Sequence, residues 1–152
     1  MYTVFNISDW FLQEVPNITN KKIQKLVYYA YAWHLVFNNE TIEDLSVRLF
    51  PNEFQAWVHG IVTPSLYFKY KKYGSGILPV NGIQLVTFSE DELDVLKQVK
   101  DVYGKYNGDE LEYINHQESP WLNARRGLSP YAASENAISD IDIFNCYSSR
   151  LQ

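Results

Sequence analysis

One segment constrains this chain more than any other. From Thr19 onward, Ile23, Leu26, Val27, Ala30, Trp33, His34 and Phe37 recur at i, i+3, i+4 and i+7, the spacing of an amphipathic helix rather than a strand. The Thr19 hydroxyl can accept from the first free amides, so the pattern predicts a helix from Thr19 to about Phe37. Lys21, Lys22 and Lys25 fall in its first turns, where the positive end of the helix dipole disfavours them. Solvent or an acidic partner must compensate. A helix this long needs neighbours, and the remaining sequence supplies them in short pieces.

Ile7 to Val15 reads as a short helix stopped by Pro16. Leu45, Val47 and Leu49 alternate with polar residues, which predicts a short strand or extended arm before Pro51. Phe54, Trp57 and Val58 follow without a clear period. Thr63-Pro64 starts a helix through Leu66, Tyr67, Tyr70 and Tyr73, ending at Gly74. Gly74 to Thr87 is rich in turn formers and reads as a loop with at most one edge strand. Ser89 and Glu92 form a capping box, with Leu93, Leu96, Val99, Val102 and Tyr103 as the buried stripe behind it. Asp109 to Gln117 is a shorter helix, and Ser119-Pro120 restarts another. Ser139 caps the last, with Asp142 at the third position and Ile138 and Ile143 as a hydrophobic staple. The expected class is mainly α: a compact single-domain bundle of six or seven helices over residues 1–152, with at most a short β-arm or hairpin.

The net charge of −5 argues against a nucleic-acid partner, which needs clustered basic residues. The interleaved stretch Lys69-Tyr70-Lys71-Lys72-Tyr73 reads as a solvated helix face. No run approaches the roughly 20 apolar residues of a membrane span, and the N-terminus lacks a basic leader. With Cys146 as the one cysteine, a cytoplasmic location is expected. His34, His59 and His116 stand in no metal-ligand spacing, and Gly74-Ser75-Gly76 lacks the context of a phosphate loop. Glu90, Asp91 and Glu92 belong to a helix cap rather than a cleft. These readings point to no metal, no cofactor and no catalytic site. The 4 Trp, 12 Tyr and 8 Phe make 16% of the chain, enough for a firm core or an interface. Composition does not divide the two uses. Arg125 and Arg126 fit an acidic partner or an internal salt bridge equally well.

Three motifs then resemble a known family. Thr19 to Ala30 with Trp33-His34 is similar to the signature helix of the Panacea domain family, described as SocA-like or phage-associated GepA-like. Gln55 to Tyr67, continued by Tyr70 to Gly74, resembles its second motif. Leu111 to Arg125, with Asn115-His116-Gln117-Glu118-Ser119-Pro120-Trp121, resembles its third. The chain departs from the pattern at Asn20 and Ile61, where the family usually has proline, and at Asn115, where threonine is common.

The resemblance implies a mainly helical antitoxin that neutralises a cognate protein toxin by direct binding, the toxin encoded by an adjacent gene. An alternative it implies is a phage-encoded regulatory or adaptor protein bringing a host protein to a protease. The expected contact residues are Trp57, His59 and Tyr67 on the second motif, with Trp121 and Arg125 on the third. A purely structural role, holding helices together, is the favoured reading of those tryptophans and of His59. The motifs leave homo-oligomerisation open. An enzyme would require His59, His116 and a carboxylate to meet in one cleft.

Overall fold

A computed structural model describes residues 1–151. Seven α-helices appear in chain order, with one hairpin between the second and third: α1 (Val4–Glu14), α2 (Asn20–Asn38), β1 (Gln55–Trp57), β2 (Gly60–Val62), α3 (Pro64–Tyr70), α4 (Glu90–Tyr103), α5 (Gly108–His116), α6 (Ser119–Ala124) and α7 (Asp140–Ser148). Short 3-10 turns, Lys71–Tyr73 and Ser149–Leu151, follow α3 and α7. The mainly α class with a short hairpin is therefore the observed one.

The signature helix lies at the centre of the molecule. Thr19 caps α2 through a side-chain bond from the Lys22 amide, and α1, α3, α4, α5, α7 and β2 all pack against it. It is not amphipathic in the expected sense. Every residue from Lys22 to Ala32 is buried, while Phe37, placed on the expected apolar stripe, is 46% exposed. Its polar face is buried because its polar groups find partners. Tyr29 donates to Glu118 Oε1 at 2.7 Å, Tyr31 to Asp140 Oδ1 at 2.7 Å, and Tyr28 bonds the Tyr147 hydroxyl at 2.9 Å. Tyr147 also donates to Glu118 Oε1, and Arg150 holds Oε2 at 2.7 Å. A buried carboxylate with three donors is a satisfied one. Much of the aromatic excess is spent here, with Tyr28, Tyr29, Tyr31 and Tyr147 fully enclosed.

The lysines at the start of α2 are compensated from inside the chain. Lys21 Nζ lies 2.8 Å from both Asp109 and Glu112 on α5, and Lys22 Nζ donates to the Gly104 carbonyl at 2.6 Å. Neither solvent nor a partner is needed for these two. Lys25 differs, as described below.

Several boundaries move. α1 begins at Val4 rather than Ile7, because Thr3 and Asn6 form a reciprocal cap. The expected arm over Leu45 to Leu49 has no strand, and the hairpin lies instead in the segment without a clear period. β1 and β2 pair antiparallel, Ala56 opposite Ile61, around a Val58-His59 turn. The chain near Ala137 adds a bridge to Gln55. On α4 the inward stripe is Val95, Leu96, Val99 and Tyr103, and Val102 is 53% exposed. The caps at Ser89 and Ser139 form as read, and Asn107 with Glu110 adds another capping box.

Candidate functional site

A cavity of about 770 Å³ opens between the first turns of α2, the hairpin, Tyr67 of α3 and the start of α5. That volume is in the range of small-molecule pockets. Gln24 and Lys25 come from α2, Trp57, Val58, His59 and Val62 from the hairpin, and Asn107, Gly108 and Asp109 from α5. Lys71 and Glu135 stand at its mouth, both exposed.

The hairpin wall is fixed from several sides. The Trp57 indole N–H donates to Gln55 Oε1 at 2.8 Å, and its ring meets Tyr67 edge-on at 4.9 Å. Gly60 has φ +109°, a conformation that side chains with a Cβ resist. A Cβ there would also sit 2.7 Å from Lys25 Cε. The glycine thus serves the turn and lets the lysine stem pass. Ile61 N–H donates to Asn115 Oδ1 at 3.0 Å, and Asn115 Nδ2 donates to the Tyr29 hydroxyl. Gln24 Oε1 accepts from the Thr63 amide at 2.9 Å, and Asn20 accepts from Gln24 while donating to the Tyr67 carbonyl.

His59 projects from the turn, its side chain 71% exposed, with Nδ1 3.3 Å from Glu112 Oε1. Partial burial pushes the Glu112 carboxyl up, but hydrogen bonds from Lys21 and His59 outweigh it and hold it below the ordinary value. It stays ionised, the opposite of what a general acid at neutral pH requires. His116, one turn further along α5, is lowered by burial; it stacks on Trp121 at 4.0 Å, and its Nε2 has no partner.

Lys25 forms part of the cavity floor. The side chain is 1% exposed; burial lowers its pKa to about 7, helped by the Lys21 charge and opposed by Glu112. No hydrogen bond or ion pair reaches its ammonium from the described residues.

The five expected contact residues separate into two groups. Trp57 and Tyr67 are half-buried and His59 exposed, all three on the cavity. Trp121 and Arg125 are only 6% and 4% exposed and lie behind the hairpin. Trp121 donates its indole N–H to the Trp57 carbonyl at 2.8 Å. Arg125 donates to the carbonyls of Ala56 at 2.9 Å, Ser129 at 3.3 Å and Ala132, and its guanidinium lies 5.0 Å over the Trp121 ring. Among the described residues Arg125 forms no internal salt bridge; backbone carbonyls hold it. Sequence reasoning missed Lys25 and Glu112 as parts of the site. The lysine's misfit with the helix dipole was the signal for one, and the pairing of α5 with α2 gave none in advance for the other.

The chain is a small helical domain wrapped around one buried helix, with a hairpin walling a cavity at that helix's first turns. Residues 23–122 match the family model described as Antitoxin SocA-like, Panacea domain, and the chain belongs to that family. No curated protein and no solved structure matches it. No helix among the described residues is long and apolar enough to cross a membrane.

Proposed function

We propose that this chain is an antitoxin that neutralises a cognate protein toxin by direct binding, using the hairpin face as its contact surface. The family match over residues 23–122 carries the reading. The geometry supports this placement: Trp57, His59 and Tyr67 all line the cavity, with the Trp57 and Tyr67 rings in contact, and aromatic side chains on a rigid element are the usual anchors of protein interfaces. Trp121 and Arg125 act here as positioning residues that hold β1 from behind. In this reading the toxin is the product of a neighbouring gene, and the complex forms in the cytoplasm.

The test is co-expression of the chain with each neighbouring gene product, scored by growth and by co-purification. Rescue of growth together with a stoichiometric complex is the expected result. A neighbour that is harmless alone and does not co-purify contradicts it, and capture of the chain by a host protease complex supports the adaptor role instead.

A further inference from the structure

We propose that the cavity is a binding site for a small organic monoanion, a carboxylate carried on a flat apolar body, with the Lys25 ammonium as its anion partner. The proposal does not depend on the antitoxin reading. It stands on the placement of Lys25. A lysine 1% exposed with no hydrogen-bond acceptor is costly to keep, because burying an ammonium without a partner opposes folding. Its stem and head pass a glycine whose Cβ would sit 2.7 Å from Cε and 3.1 Å from Nζ, and the residue lines the cavity. The first turns of α2 and α5 border the same cavity, and both contribute the positive ends of their dipoles.

The surrounding charges select a monoanion. Lys21, Lys25 and Lys71 line the cavity together with Asp109 and Glu135, and Glu112 on α5 acts on Lys21 and Lys25. Lys21 is already shared between Asp109 and Glu112, so Lys25 is the unshared charge at depth. One negative charge satisfies it; a second would meet the carboxylates at the mouth. Trp57, Tyr67 and Val62 supply the apolar wall for the rest of the ligand.

The probe is 3-phenylpropionate, with 3-phenylpropionamide as its neutral counterpart and inorganic sulfate as the dianion. Binding to the whole chain is followed near pH ~6, below the pKa at which burial places Lys25, by calorimetry and by the Lys25 side-chain nitrogen resonance. The acid should shift that resonance and bind roughly 10- to 100-fold more tightly than the amide, the usual size of a charge-assisted contact. Lys25→Met, close in length and apolar, should fold and lose the same factor. The acid-to-amide ratio on the unmutated chain gives the answer even if that variant does not fold. Equal binding of acid and amide overturns the proposal, as does unchanged affinity in Lys25→Met. A silent Lys25 resonance with all the probes does so too, and sulfate binding tighter than the acid overturns the monoanion assignment. All of these are read without any toxin, so failure of the antitoxin reading leaves them untouched.

Discussion

At the scale of single residues, Lys25 is where stability and function are set against each other. Its proton is held near the ordinary value of 10.5 when unfolded and near 7 when buried. The unfolded chain therefore binds more protons between those values, and the destabilising effect is fullest below pH 7 and fades as pH rises toward 10. Lys25→Met should raise the unfolding free energy by about 1–3 kcal/mol near pH ~7, with the gap over the wild type narrowing toward pH ~9. Denaturant melts at the two pH values check it, and a variant less stable than wild type at neutral pH contradicts it. Arg125 makes the opposite case. Its guanidinium satisfies the carbonyls of Ala56, Ser129 and Ala132 from a buried position, so Arg125→Ala should cost about 2–4 kcal/mol of stability. The buried Ile61 amide finds its acceptor in Asn115 Oδ1 at 3.0 Å.

At the scale of elements, the hairpin is the piece that sets the site. Gly60→Ala places a Cβ against the Lys25 stem at φ +109° and should destabilise the chain by about 1–3 kcal/mol. Thermal unfolding reads the cost, and loss of the Trp57 fluorescence environment reads the displaced wall. Helices with caps were legible in the sequence: Thr19, Ser89 and Ser139 each announce a start that the backbone obeys. Thr3 with Asn6 uses the same reciprocal bond, but Asn at the third position is not the usual Glu or Gln, so α1 starts before its pattern does. The hairpin was not legible. Its strands have three residues each, and β2 is buried along its whole length, so no alternation marks it. The stripe of α2 misled for a physical reason as well. Periodicity separates apolar from polar residues, and here the polar ones are buried too, Tyr28, Tyr29 and Tyr31 through partners far along the chain.

At the scale of the whole molecule, charge and shape divide the work. The net charge is −5, and Lys21 and Lys22 are turned inward onto α5 and the Gly104 carbonyl, so the outer field is acidic while the cavity floor is basic. A basic toxin would be steered by the first, and its association rate should fall severalfold as salt rises from about 0.05 to about 0.5 M. Stopped-flow mixing at two salt concentrations measures it. The most direct test of the proposed contact face is a calorimetric titration of the co-purified toxin with the wild type, with Trp57→Ala and His59→Ala, and with Val102→Ala on the exposed side of α4. The account predicts that Val102→Ala binds like the wild type while the hairpin variants weaken binding by about 10-fold or more. Unchanged affinity in both hairpin variants, with stability intact, would contradict it.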